Sequence, residues 1–435
     1  MNISQSGRVV VIDDNKKEAY PLIETLSKKG IPSTYFSSEI EQLPDKPLSG
    51  IRIVFLDIEL GTIGQPDETK ISTAIGILNR IISSDNGPYM IIGWTKHADL
   101  LKKLKTKIKK NRPIFFLDLE KSKCFETRNK RKTCNLAQLE ENISRELKKS
   151  SAFQILTLWE NIAHYCAGEM VASISSLSKP STKWDKNICE IFYALSFAQL
   201  ANHLNIEDSN EMIQNALITI NYALTDVFEK KISSPEFNSA GIDLKTILNL
   251  SDLRESVIDK KTRGKINSML LLSISETADF PQPGTLYEFS RRNFPLKVDD
   301  LFNGELETYP KRDQLLRKVK KIILEATPTC DYANKKWKKH RFLLGFLWPE
   351  EFSNKIKTGD SSCKSPIIEY NLKRYKLVFD FRYLMTAEFE EFKNNKRNYS
   401  LKHRKKPLCQ IRHQLLVDIQ SRLSRHVNRP GIVNV

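Results

Sequence analysis

Long apolar runs are missing from this chain of 435 residues. Met269-Leu270-Leu271-Leu272 is among its densest apolar stretches and is far shorter than the ~18 residues a membrane span needs, so no membrane partner is expected. The start, Met1-Asn2-Ile3-Ser4-Gln5-Ser6-Gly7, lacks the apolar core of a secretory signal, and a soluble, cytoplasmic protein is the expectation. Cysteine is sparse and scattered, at Cys124, Cys134, Cys166, Cys189, Cys330, Cys363 and Cys409. With no CxxC pair and no tight Cys/His cluster, a structural zinc site or a disulfide framework is not expected; reduced, mostly buried thiols are. No Walker loop, GxSxG turn, His–metal pair or convincing pair of catalytic acids occurs in the C-terminal half, so no enzyme class is named there. His403, His413 and His426 show no metal-ligand spacing.

Acidic residues are outnumbered. Lys and Arg total 69 against 52 Asp and Glu, a formal charge of +17. The excess comes in bursts: Lys102 to Arg112, Arg128 to Lys132, Arg317 to Lys321, Lys335 to Arg341 and Lys393 to Lys406. A basic surface attracts nucleic acid through sequence-independent phosphate contacts, although Lys-rich runs also serve as solvated faces. In the fourth burst Lys335, Lys336, Lys338, Lys339 and Arg341 surround Trp337. That combination could hold phosphates while the indole stacks on a base, or it could be an exposed helix end whose Trp packs inward. Lys396 and Arg397 form a second such patch. Cys330 would need a base to act as a nucleophile, and His340 is the one nearby in sequence.

Four apolar, β-branched runs stand in the first third. Arg8-Val9-Val10-Val11-Ile12 ends on Asp13-Asp14. Ile51-Arg52-Ile53-Val54-Phe55-Leu56 ends on Asp57-Ile58-Glu59. Tyr89-Met90-Ile91-Ile92-Gly93-Trp94 ends on Thr95, and Pro113-Ile114-Phe115-Phe116-Leu117 runs toward Lys121. Ser33-Thr34-Tyr35-Phe36 is a candidate further strand. Helical patterns at Glu18–Gly30, Ile71–Ile82 and Ala98–Lys110 alternate with these runs, and such alternation implies right-handed βαβ units on a doubly wound parallel sheet. Open sheets of that kind place their chemistry at the C-terminal ends of the strands. Carboxylates converging there suit Mg²⁺, which prefers carboxylate, carbonyl and water oxygens.

These residues resemble the pattern of a response-regulator receiver domain across about the first 125 residues. The resemblance implies a flavodoxin-like five-stranded fold in which Asp57 accepts a phosphoryl group. Asp13, Asp14, Asp57 and the backbone carbonyl of Glu59 would hold Mg²⁺. Thr95 and Lys121 would bind phosphoryl oxygens, and a histidine kinase or phosphotransfer protein would be the donor. Lys121 is followed by Ser122 where the family usually has proline, so Lys123 competes for the role. The loop Gly61–Glu68 is longer and more polar than the family's. The implied activity is limited to self-phosphorylation and dephosphorylation of the receiver aspartate. A weaker likeness, at Ile266–Leu270, Pro283–Tyr287, Pro328–Lys336 and Asn428–Ile432, is to receiver-headed bacterial proteins of defence-type gene neighbourhoods. It implies a defence-complex partner; a second copy of the chain is a separate candidate partner.

The whole chain reads as multidomain: a receiver-like domain over 1–125, a mainly α-helical domain over 135–280 and a small mixed α+β domain over 281–435. Cys124 to Thr133 reads as a polar, basic loop. Helices are expected over Leu136–Leu147, Phe153–Leu177, Ile188–Leu204, Glu211–Phe228, Leu244–Leu248 and Lys265–Leu271. In the second of these, Trp159, Ile162, Ala163, Cys166, Met170 and Ile174 form a core-facing stripe, and His164 is a satisfied core histidine. Further on, Gln314–Glu325 reads as a helix, Phe342–Leu347 and Lys376–Leu384 as strands, and Ile411–Val427 as an amphipathic terminal helix.

Overall fold

The computed structural model describes residues 9–62, 64–95, 98–109, 111–120, 125–128, 131–134, 141, 145, 151–200, 209–234, 258–273, 282–289, 294–328, 331, 339–357, 359–388 and 404–428. The chain divides into two compact units, Met1–Gly168 with Val227–Asn249, and Glu169–Asp226 with Leu250–Val435.

The first unit is built on a parallel sheet. Strands β1 (Val9–Ile12), β2 (Ser33–Phe36), β3 (Ile53–Leu56), β4 (Met90–Thr95) and β5 (Phe115–Glu120) stand in the order β2-β1-β3-β4-β5. Val9 to Ile12 are all buried, because β1 has a partner strand on each side and side chains packed on both faces. That environment selects an unbroken β-branched run over an alternating one. Helix α1 (Lys16–Lys28) covers one face, packing Ala19, Leu22 and Leu26 onto Val9, Val11, Phe55 and Ile92. Helices α2 (Asp67–Ile81) and α3 (Ala98–Lys107) cover the other through Ile71, Ala74, Leu78, Leu101 and Leu104. The β2–β3 connection holds only a 3₁₀ turn, Ile40–Gln42, in place of a helix.

The segment read as a loop after Cys124 is instead a hairpin, β6 (Phe125–Arg128) and β7 (Arg131–Cys134). In β6, Phe125 and Thr127 alternate with the charged Glu126 and Arg128, a strand period that the overall polarity of the segment concealed. Helix α4 (Ser151–Ser176) follows. Its Phe153 packs edge-on against Phe115, and Glu160 pairs with Arg52 at 2.8 Å. Two expectations for this helix fail. Ile162 and Cys166 are buried, but Trp159 is 58% exposed and His164 is exposed. At about 100° per residue, His164 points away from the Ile162–Cys166 line.

The second unit contains helix α5 (Trp184–Leu200), the residues of α6 (Ser209–Ile232) up to Asp226, and α7 (Lys260–Leu271). Its largest element is an antiparallel sheet of eight strands: β8 (Leu272–Ser273), β9 (Thr285–Phe289), β10 (Lys320–Glu325), β11 (Lys339–Pro349), β12 (Ser362–Lys364), β13 (Ile368–Tyr370), β14 (Lys373–Glu388) and β15 (Arg404–Ile411). Helices α8 (Arg312–Lys318) and α9 (His413–Val427) complete it. One face buries Phe294, Leu301, Phe342, Phe346 and Trp348. The other buries Leu324, Leu343, Leu377 and Phe379 beneath Leu415, Leu416 and Ile419 of α9.

The helix expected over Gln314–Glu325 stops at Lys318, and its second half is the interior strand β10. Ile322 and Leu324 face one layer while Ile323 faces the other, so the period is two and not 3.6. The expected strands and terminal helix are present, with Ile411 ending β15 and α9 opening at His413. Leu244–Leu248 lies outside the described residues, as does most of Leu136–Leu147.

Among the described residues Cys166, Cys363 and Cys409 are buried free thiols, and Cys189 is exposed. Burial pushes the Cys363 and Cys409 thiols up from 9.0 to about 12. A raised acid binds its proton more tightly when folded, so this stabilisation is complete below pH 9 and is lost as pH rises toward 12. Each thiol should then cost about 1.4 kcal/mol of unfolding free energy per pH unit within that window. Urea titrations at pH 8 and 10 should show the fall, and a Cys363→Ala/Cys409→Ala variant should flatten it.

Candidate acidic site

The sheet order reverses direction between β1 and β3, and residues leaving those two strands share one edge. In-register pairing of Ile12 with Leu56 brings Asp13 and Asp57 side by side, and the Asp57 N–H donates to the Ile12 carbonyl at 2.8 Å. Carboxylate oxygens of Asp13, Asp14 and Asp57 all lie within 4.8 Å of one another. Asp13 is fully buried, Asp57 is half-buried and Asp14 is exposed, so the cluster is seated at its base and open at its top.

Local backbone geometry holds each acid. Asp13 donates its N–H to the Phe36 carbonyl at 3.1 Å, and its own carbonyl accepts from the Tyr35 hydroxyl at 2.6 Å. Its Oδ1 accepts the Asn15 N–H at 2.9 Å, while Asn15 in turn caps α1 by accepting from the Lys17 N–H at 3.1 Å. The Glu59 N–H donates to Asp57 Oδ1 at 3.2 Å, orienting that carboxylate. The Gly61 N–H reaches across to Asp14 Oδ2 at 2.8 Å, tying the loop after β3 to the acid after β1. Gly61 has a φ of +65°, which favours glycine there.

The Glu59 carbonyl accepts from both the N–H and the hydroxyl of Thr62, so reaching a cation would require it to release one of them. The Glu59 side chain accepts from Lys70 Nζ at 2.7 Å, and Lys70 is only 8% exposed. This ion pair offsets the charge of Glu59 beside the three aspartates. Lys70 was missed as a residue shaping the site. Its signal was its place on the stripe shared with Ala74, Ile77 and Ile81, where a lysine is out of character unless paired.

Thr95 is the last residue of β4, in register with Glu120 at the end of β5. Lys121 and Lys123 lie outside the described residues. So do Lys335, Lys336, Trp337, Lys338, Lys396, Arg397 and Cys330. Lys339 and Arg341 stand exposed at the start of β11, with Arg341 3.7 Å from Asp331. Between them His340 is buried, its Nδ1 3.3 Å from Glu325 Oε1, and the Thr327 hydroxyl donates to that same oxygen.

The parallel order with its acidic cluster fits a flavodoxin-like fold of the receiver kind, and the three aspartates could hold a metal ion. Comparison with models of known protein families returns no match, and neither does comparison with curated proteins. Among the described residues no helix is long and apolar enough to cross a membrane.

Proposed function

We propose that the first unit is a phosphoryl-accepting switch of the response-regulator type, with Asp57 as the acceptor. The observation that carries this reading is the convergence of Asp13, Asp14 and Asp57 at the reversal point of a β2-β1-β3-β4-β5 sheet. The donor set is all oxygen, as hard Mg²⁺ prefers. Octahedral ligands at about 2.1 Å from the ion stand roughly 3 to 4.2 Å apart, so oxygens already within 4.8 Å need only a small closure. Bound there, Mg²⁺ would neutralise charge shared by the carboxylates and the phosphoryl oxygens.

An Asp57 oxygen attacks the phosphorus of a phosphohistidine on a partner kinase or phosphotransfer protein. A P–O bond forms as the P–N bond breaks, and the electron pair leaves with the imidazole nitrogen. The anchored Asp57 Oδ1 limits rotation of the carboxylate, which favours attack by its companion oxygen. The added charge then draws the Thr95 hydroxyl and a lysine after β5, and this local change is relayed to the C-terminal region. A defence complex is one setting for that output. An adjacent histidine kinase gene would support signalling alone, and an adjacent nuclease or NTPase gene would support a defence role.

Incubation with radiolabelled acetyl phosphate or phosphoramidate and Mg²⁺ should give an alkali-labile label that Asp57→Asn loses. A wild-type chain that takes no label from either donor and binds no Mg²⁺ would rule the reading out.

A further inference from the structure

Helix α6 carries apolar side chains on more sides than the second unit covers. Within its stretch up to Asp226, Ala216 is fully buried and Thr219 donates its hydroxyl to the Leu195 carbonyl of α5 at 3.1 Å, which marks where the two helices meet. Ser196 of α5, also fully buried, lies beside that contact in sequence. Away from the contact, Ile213 and Leu217 are 53% and 50% exposed, and Ile218 and Tyr222 are 44% and 62% exposed. The first pair sits one helical turn apart on one flank. The second pair does the same on a flank rotated by about 140°. A helix that is apolar on this many sides belongs in an interior.

Charge narrows what can cover it. From Met212 to Thr225 no residue is charged, and none is from Ile191 to Leu200 of α5, in a chain that is 28% charged. An acidic partner would be drawn to the basic bursts and not to this face. An anionic membrane surface would need cationic residues bordering the apolar stripe, and this stretch has none. A second copy of the chain meets neither difficulty. Two chains of charge +17 repel wherever charged surfaces meet, and an uncharged face is where they can approach at least cost.

We propose that this α5–α6 hairpin is a homodimer interface, pairing with its symmetry mate to form a four-helix bundle. In a bundle each helix touches two neighbours; for α6 one is α5, along the Ala216–Thr219 line, and the other would be a helix of the symmetry mate seated on one of the two exposed flanks. Some 18 residues of helix span about 27 Å, and two helices side by side are roughly 20 Å wide. That footprint is on the order of 500 Å² per copy, so the pair reaches the ~1,000 Å² a specific interface needs.

Nuclease-treated full-length protein should sediment at twice its 50.2 kDa at about 10 μM, and the dimer should persist or tighten in 0.5 M salt. Leu217→Glu/Tyr222→Glu should raise the dimer dissociation constant at least 100-fold with unchanged circular dichroism, although it lowers the net positive charge and so the self-repulsion. Should that variant fold poorly, Leu217→Ser/Tyr222→Ser is expected to weaken the dimer in the same direction. A monomeric wild type at this concentration, a dimer that salt dissociates, or a dimer indifferent to both substitutions would overturn the proposal.

Discussion

Asp13→Asn is expected to do two opposite things: abolish measurable Mg²⁺ binding and raise the stability of the metal-free protein. Three carboxylates within 4.8 Å repel one another, and Asp13 is the fully buried member. Two charges about 4 Å apart interact by roughly 1 kcal/mol in water and roughly 4 kcal/mol at the effective dielectric near a protein surface. Removing one charge relieves two such repulsions, and a net gain of about 1 kcal/mol is expected. The substitution should leave the fold alone. The Asp13 main chain stays bonded to Phe36 and Tyr35, and an Asn Oδ1 can still accept the Asn15 N–H. The same change removes a ligand charge from a dication site, for which a loss of about 3 kcal/mol, or more than 100-fold in affinity, is expected. Wild-type protein should therefore melt higher with Mg²⁺, by about 2.7 kcal/mol at a hundred times its Kd, while Asp13→Asn melts higher without it and gains nothing from it. Acids that served only to cap helices would behave the other way, with a less stable variant and no response to Mg²⁺ in either protein. Thermal melts with and without 10 mM Mg²⁺, supported by calorimetric titration, separate the two cases.

What could be read from the residues differs between the two units for physical reasons. Val9–Ile12 and Ile53–Leu56 are enclosed by strands on both edges and by side chains on both faces, so their apolar runs are continuous and end abruptly on Asp13 and Asp57. Few other environments produce that pattern. The site's scaffold, in contrast, rests on main-chain geometry: the Gly61 N–H on Asp14, the Thr62 turn on the Glu59 carbonyl and the Glu59 N–H on Asp57. No residue-type pattern announces bonds made by the backbone. In the second unit, Ile322-Ile323-Leu324 satisfies a buried strand and a buried helix equally well over so short a span, and only the pairing with β9 and β11 decides it. Trp159 and His164 failed for a related reason. Helical spacing identifies a stripe, but which edge of a broad stripe faces the core depends on what packs there.

Gly345 marks a further constraint that composition concealed, and Gly345→Ala is expected to cost about 3–5 kcal/mol, more than most single substitutions. The residue lies inside the apolar run Phe342–Leu347, where a glycine reads as a weak point in a strand. Its pairing explains its presence. The ladder between β11 and β14, the two longest strands, shifts register between Leu343 and Gly345, and this irregularity brings the two backbones together. A Cβ built on Gly345 would lie 2.3 Å from the Val378 carbonyl oxygen and 2.5 Å from Phe379 Cδ1. The phenyl ring is fully packed and the carbonyl belongs to the main chain of β14, so neither can yield cheaply. Separating the strands would disturb both layers at once, because Phe346 and Val378 pack on one face and Leu347 and Phe379 on the other. Gly76→Ala supplies the contrast. Gly76 sits inside α2 at a negative φ, and nothing lies within 4 Å of the place a methyl group would take, so alanine there should stabilise by about 0.5–1 kcal/mol. Urea denaturation of both variants tests the pair. Equal and small effects would show that β14 can shift to admit a methyl group, and that the register shift does not enforce glycine at position 345.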